Sequence, residues 1–219
     1  MRRYPLFARE GWPFIAGSLA IAIAITYAWG WLWASPWWLI AVFCIQFFRD
    51  PTRHVDAGPN DIVCPADGKV IFVGKMKDPY LDREVNKISV FMNVFNVHSN
   101  KSPVNGVIKK RWYRPGSFIN AAFDKAAEEN EQNALWITTD YGLDITCVQI
   151  AGLVARRILC YVDEGDTLQA GQRYGFIRFG SRVDLYLPDG TEIKASIGDT
   201  VKSGLDILAV LPEKAASTD

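Results

Sequence analysis

From Gly11 to Phe48 the chain carries no charged residue. A run of that length must be either buried completely or placed in a bilayer, which solvates apolar side chains directly. Phe14 to Trp33 is long enough to span the hydrocarbon core as a helix. Trp37 to Phe48, after Ser35-Pro36, is too short to span easily. A cleaved signal peptide fits poorly, because the run is too long, too aromatic and lacks a small-residue cleavage site. A buried helical hairpin in a soluble protein is the alternative. Six of the eight tryptophans lie in this run, five of them between residues 29 and 38. Indole rings favour the headgroup level, so the middle of the run is expected at an interface. Arg2, Arg3 and Arg9 precede it, and Arg49 and Arg53 follow. Positive flanks on both sides keep both ends cytoplasmic. Residues 1–48 therefore read as a helical hairpin or re-entrant anchor in the cell membrane, entered from the cytoplasmic face.

Arg49 to Asn60, with Pro51, Gly58 and Pro59, reads as a linker, and His54 in it as a solvated loop residue. From Asp61 to the end, short apolar alternations are broken by Gly, Pro, Asn and Asp. Lys87 to Val97 carries a long strand signal that ends at His98. Asn120 to Glu131 is the one good helical stretch. Leu135–Thr139 and Leu143–Ile150 form a hairpin across Asp140-Tyr141-Gly142, and Leu153–Val162 continues as strand. Gly74-Lys75-Met76-Lys77 has the look of a biotin-carrier lysine, but its flanks do not fit, and it reads as a solvated loop. Two internal echoes run through this part. Pro65-Ala66-Asp67-Gly68 returns as Pro103-Val104-Asn105-Gly106, and Gly165-Asp166-Thr167-Leu168-Gln169-Ala170-Gly171 returns as Gly198-Asp199-Thr200-Val201-Lys202-Ser203-Gly204. Such turns recur in barrel-sandwich hybrids of the lipoyl and biotinyl kind. Residues 61–219 are thus expected to be a mainly β domain (α+β) with one or two helices.

Lys+Arg and Asp+Glu both total 24, so nothing favours nucleic acid as a partner. Cys44, Cys64, Cys147 and Cys160 have no metal-like spacing and read as reduced packing residues. With His54 and His98 the only histidines, imidazole chemistry has few candidates.

Between the two Gly-Asp-Thr turns stands Phe179-Gly180-Ser181, flanked by Tyr174, Phe176, Val183, Leu185 and Leu187. On residue types alone, Gly-Ser is an ordinary turn pair joining two short strands. Together with Asn93-Val94-Phe95-Asn96-Val97-His98 and Lys101-Ser102-Pro103, however, the stretch resembles the phosphatidylserine decarboxylases, particularly their short branch. The resemblance covers roughly Asp61 to Leu211. It implies a proenzyme that cuts itself between Gly180 and Ser181. Chains 1–180 and 181–219 would stay together as a heterodimer, open to further oligomerisation. Ser181 would become a pyruvoyl group, a covalent ketone in place of pyridoxal phosphate and without a metal. It would form a Schiff base with phosphatidylserine and release phosphatidylethanolamine.

The chemistry needs those two residue types side by side. A serine hydroxyl can attack the carbonyl of the residue before it, and glycine there admits the unusual backbone that this approach requires. The resemblance also assigns His98 as the proton-transfer group and Asp67 as the carboxylate that orients it, as in a triad. The family's long branch reads Leu-Gly-Ser-Thr at the cleavage site and has a second histidine three residues after the first. This chain has Phe-Gly-Ser-Arg and Lys101. Lys101 and Arg182 are therefore candidates for oxyanion or headgroup contacts. Two other readings remain at this point: a membrane-tethered carrier or phosphotransfer domain of the lipoyl type, and a serine hydrolase using Ser181 uncleaved, which lacks a Gly-x-Ser-x-Gly elbow.

Overall fold

The computed structural model describes residues 6–122, 126–153, 157–178 and 180–213; Arg2, Arg3 and Phe179 lie outside them. The chain forms two compact units, one up to Thr52 together with Phe95–Val97, the other from Arg53 to Val94 and from His98 onward.

In the first unit a 3-10 turn, Arg9–Gly11, leads into α1 (Trp12–Trp29) and α2 (Trp31–Phe47). The first helix ends earlier than expected, because Gly30 has φ +84°, a value that an L side chain resists. Pro36 lies inside α2 rather than between two segments. A proline there leaves the carbonyl four residues back without its donor. The Ser35 hydroxyl donates to that carbonyl, Leu32 O, at 2.9 Å. Across the hairpin, Trp38 Nε1 donates to Thr26 Oγ1 at 3.1 Å. Gly11 lets the base close: a Cβ on it would lie 2.3 Å from the Phe48 ring. Residues 7 and 49 form an antiparallel bridge, so the hairpin starts and finishes at the same end. Arg9–Trp29 is long and apolar enough to cross a membrane. Tyr27, Trp29, Trp31, Leu32 and Trp33 are exposed around the turn.

The second unit is mainly β. Eight strands form one curled sheet in the order β13 (Thr200–Val201), β2 (Gly68–Asp78), β3 (Arg83–Met92), β11 (Ser181–Pro188), β7 (Asp144–Ala151), β6 (Gln132–Thr139), β5 (Gly106–Arg114) and β9 (Thr167–Leu168). Two three-stranded sheets complete it: β1 (Asp61–Val63), β14 (Ile207–Val210) and β12 (Glu192–Ile193); and β4 (Ser99–Lys101), β10 (Arg173–Ile177) and β8 (Ile158–Cys160). The main core gathers Val70, Ile88, Val90, Leu135, Ile137, Val183, Leu185 and Leu187 from one face of the large sheet. Tyr186, Val148, Ile150 and Ala134 pack on the other.

The two sequence echoes are one structural device used twice. Each Gly-Asp-Thr turn supplies an edge strand of the large sheet, β13 against Gly68-Lys69 and β9 against Gly106-Val107. The hydrogen bonds repeat: Val70 N donates to Asp199 O and Ile108 N to Asp166 O, each at 2.9 Å. Gly204 N meets Cys64 O at 2.9 Å and Gly171 N meets Ser102 O at 2.8 Å. Asp67 Oδ1 accepts from Ser203 N at 2.8 Å, and its twin Asn105 Oδ1 accepts from Ala170 N at 2.8 Å.

Several expectations need correction. The strand before His98 stops at Met92, and Asn93–Val97 is turn and coil. Gly74–Lys77 is mid-strand in β2 with Lys75 paired to Asp189, because its alternating side chains fit the ladder with β3. The helix is only Ala126–Glu129, residues 123–125 lying outside the described ones. The strand expected over Leu153–Val162 is only Ile158–Cys160, with residues 154–156 likewise outside. The stretch expected as linker is not free of the β unit, since Arg53 pairs with Asp67 and Val55 packs on Gly171.

Gly165 and Gly198 have φ of +88° and +101° with open space around them. Gly165→Ala and Gly198→Ala are expected to cost about 1–3 kcal/mol each through backbone strain alone. Chemical denaturation of the two variants against wild type would measure it, with similar losses at the two equivalent turns.

Candidate active site

Gly180 and Ser181 do not form the tip of a hairpin. β10 pairs with β4 and β8 in a small sheet, whereas β11 lies between β3 and β7 in the large one. The dipeptide is the corner where the chain passes from one sheet to the other. Gly180 takes φ +65° there, with nothing near its Cβ position, so its backbone conformation and not crowding calls for glycine.

Ser181 opens β11. It is fully buried, and its hydroxyl has no hydrogen-bond partner among the described residues. Buried hydroxyls are nearly always paired, so an orphan at this position needs a reason. Strand alternation puts Ser181 on the face of Val183 and Leu185. His98, also fully buried, sits just before β4. Its Nε2 accepts from Gly180 N at 3.3 Å, which assigns the ring proton to Nδ1 and leaves Nε2 with a lone pair toward the Gly180 backbone. The Ile177 N–H donates to His98 O at 3.3 Å. Ser181, Gly180 and His98 are thus brought together.

Asp67 is placed differently. Its carboxylate forms a two-point ion pair with Arg53 and also accepts from Ser203 N. No hydrogen bond joins it to His98 among the described residues. Burial pushes its pKa up, but Arg53 and the Ser203 N–H outweigh burial and hold the carboxyl below its usual range. The bond to Ser203 is the one that Asn105 repeats in the other turn, so this part of its work is structural. Lys101 is nearly buried on β4, its side chain running past Gly204 in the same loop. Arg182 is not available to a headgroup. It is 1% exposed and faces the opposite side of β11 from Ser181. There it pairs with Asp184 at 2.8 Å and donates to Ala121 O at 3.3 Å. Lys87 joins the same carboxylate at 3.0 Å.

Sequence reading missed a buried amide chain that supports the corner. Arg111 Nε donates to Asn133 Oδ1, Asn133 Nδ2 to Gln149 Oε1, and Gln149 Nε2 to Asn100 Oδ1, all at 2.8–2.9 Å. Gly175 lets β10 lie over it, as a Cβ there would be 2.5 Å from Gln149 Nε2. The available signal was Gln149, an amide between Val148 and Ile150 on an otherwise apolar strand; Asn133 and Asn100 have polar neighbours and stand out less.

A family model for phosphatidylserine decarboxylase matches residues 40–209, which takes in the whole corner and everything that supports it. The chain belongs to the phosphatidylserine decarboxylase family. Among curated proteins it is 60% identical over 206 residues to the phosphatidylserine decarboxylase proenzyme of Nitrosomonas europaea, covering 94% of this chain and 95% of that one. It is 59% identical over 209 residues to that of Aromatoleum aromaticum, covering 95% and 97%. Against that of Burkholderia mallei the identity is 58% over 211 residues, covering 96% and 98%. The family is one of carboxy-lyases, and these relatives are named as proenzymes.

Within this phosphatidylserine decarboxylase fold, Asp67→Asn keeps the acceptor for Ser203 N but loses the charge opposite Arg53, whereas Asp67→Ala loses both. Unfolding experiments should rank them wild type, Asn, Ala, with about 3 kcal/mol or more lost for Ala. Because the folded carboxyl titrates below its unfolded value, near pH 4, the ion pair stabilises the fold at and above that pH. Its contribution disappears as pH falls further, and the wild-type advantage over Asp67→Asn should shrink with it.

Proposed function

We propose that this chain is the proenzyme of a phosphatidylserine decarboxylase that matures by cutting its own Gly180–Ser181 bond. The single observation that carries the reading is the buried, unpartnered Ser181 hydroxyl next to a left-handed Gly180 whose N–H rests on His98 Nε2. In the uncut chain Ser181 is fully buried, so its hydroxyl meets no outside substrate before the bond is cut. What such a hydroxyl can reach is its own preceding carbonyl. A carrier function loses its support too, since Lys75 is mid-strand and ion-paired.

In this reading His98 Nε2 gives up the Gly180 N–H and takes the Ser181 hydroxyl proton as Oγ attacks the Gly180 carbonyl carbon. The Gly180–Ser181 C–N bond breaks, leaving an ester at Oγ and a free amine on Ser181. Removal of the Ser181 α-proton then breaks the Cβ–Oγ bond, and Gly180 leaves as a carboxylate. Water replaces the amine, which departs as ammonia. Held at the Gly180–Ser181 corner beside His98, a pyruvoyl group would supply a ketone for condensation with the serine amine of the lipid and a place for the electron pair released with carbon dioxide. The cradle fits it, because the corner already holds the atoms from which it forms. His98 returns the proton that completes phosphatidylethanolamine. Asp67 acts through the loop it ties to Arg53, not as a direct partner of the ring. The helical hairpin enters the membrane from the cytoplasmic face and holds the β unit where the insoluble substrate is. Chains 1–180 and 181–219 remain one two-chain enzyme.

A denaturing gel and the mass of the C-terminal fragment test the reading. Wild type should run as two chains, the smaller blocked at its first residue, and Ser181→Ala as one inactive chain. Intact, fully active wild type would refute it. A second expectation concerns the base: His98→Ala should slow cleavage by about 10²–10⁴-fold, read as the half-time of precursor conversion. Cleavage at the wild-type rate would assign the first proton transfer to another group.

A further inference from the structure

Resting on the self-cleavage reading, we infer that Gly152 is a positioning residue for that reaction: it is the wall against which the Gly180 carbonyl is set. Ser181 pairs with Ala151 in the β11–β7 ladder, so the residue after Ala151 comes opposite the residue before Ser181. A Cβ on Gly152 would lie 2.0 Å from Gly180 O and 2.8 Å from Gly180 C. Gly152 does not occupy the positive-φ region. Its own backbone would accept an L side chain, and only the opposing carbonyl forbids one.

The wall cannot step back. The carbonyl of Ala151 accepts from Asn130 Nδ2 at 2.7 Å, and the N–H of Ala151 donates to Glu131 O at 3.0 Å. Asn130 is fully buried and grips Ile119 on its other side, through N–H at 2.9 Å and through the carbonyl at 2.7 Å. Ala121, which touches the same Cβ position on Gly152 at 3.3 Å, is held by Arg182 through its carbonyl. Arg182 thereby braces the corner from the far face of the sheet.

This matters for the first bond made. When Oγ attacks, the Gly180 carbon turns tetrahedral and its oxygen gains charge and moves. A wall flush against that oxygen fixes the plane of the carbonyl before attack, hence the face presented to Oγ. The Cα hydrogen in the Cβ direction points at the oxygen and is a weak donor to it. Alanine would push the peptide away, since carbon and oxygen do not approach to 2.0 Å. A displacement of about 1 Å in a reacting group can cost on the order of 10²-fold in rate.

The test compares Gly152→Ala with Gly106→Ala in the full chain. Gly106 also meets a backbone carbonyl elsewhere in the same sheet, with its Cβ position 2.4 Å from Thr138 O, and it controls for general strain. Both variants are compared below their melting temperatures. Gly152→Ala should convert about 100-fold more slowly than wild type, and Gly106→Ala within a few-fold. Hydroxylamine cuts esters, so it should release no fragment from the Gly152→Ala precursor if the defect precedes ester formation. The inference is overturned by wild-type conversion of Gly152→Ala, by an equal slowing in Gly106→Ala, or by an accumulating hydroxylamine-sensitive ester. If Gly152→Ala does not fold, Asn130→Ser decides, since it loosens the wall without adding bulk: slowed conversion supports the inference, and unchanged conversion overturns it. A wild type that never cleaves would instead remove the self-cleavage reading on which this rests.

Discussion

β11 is hydrogen-bonded along both edges, to β3 over its full length from Ser181 to Pro188 and to β7 from Ser181 to Tyr186. Both ladders begin at Ser181 itself. The residue on one side of the 180–181 bond is therefore locked into the middle of the largest sheet, while the residue on the other makes a left-handed turn out of it. Rigid on one side and bent on the other, this peptide is the point where two sheets are joined. The ordering that a strained local geometry requires is supplied by the core packed under Val183, Leu185 and Leu187.

The far face of the same strand is organised by charge. Asp184 is fully buried between Arg182 and Lys87, and Lys87 also lies over the rings of Phe72 and Tyr186 at 5.4 Å. Such a cluster contributes less net stability than its contacts suggest, because three groups are desolvated. Its specific effect is on register. Sliding β11 by one residue would take Arg182 and Asp184 off this face and put Val183 or Leu185 against Lys87. Ser181 would then leave the face it shares with Val183 and Leu185.

Most of the secondary structure was legible because its signals are local. The Gly-Asp-Thr turns, the Asp140-Tyr141-Gly142 hairpin and the uncharged hairpin all follow from nearest-neighbour chemistry. Gly180, Ser181 and His98 were readable through a family resemblance, since nothing in spacing alone says that residues 98 and 180 meet. What stayed hidden was pairing at a distance. Arg53 sits in a Pro/Gly-rich stretch that reads as linker, and only the fold brings it to Asp67. Arg182 reads as a surface cation until strand alternation is combined with knowing that both faces of the sheet are covered. Gly152 gives no local sign at all, its requirement for glycine being imposed by a carbonyl twenty-eight residues away.

The central place of β11 has a consequence for how a cut molecule would lose its structure. Strands β11 to β14 all lie beyond residue 180, and they enter the large sheet both at its middle and at one edge. A severed chain 181–219 would be held only by non-covalent bonds, but it could not peel away from an edge. It would have to unzip two ladders together, so its escape would be slow. Refolding would be a meeting of two molecules, with a yield that depends on concentration, whereas the uncut chain refolds alone. Cleavage would thus turn a reversible fold into one that persists because leaving it is slow.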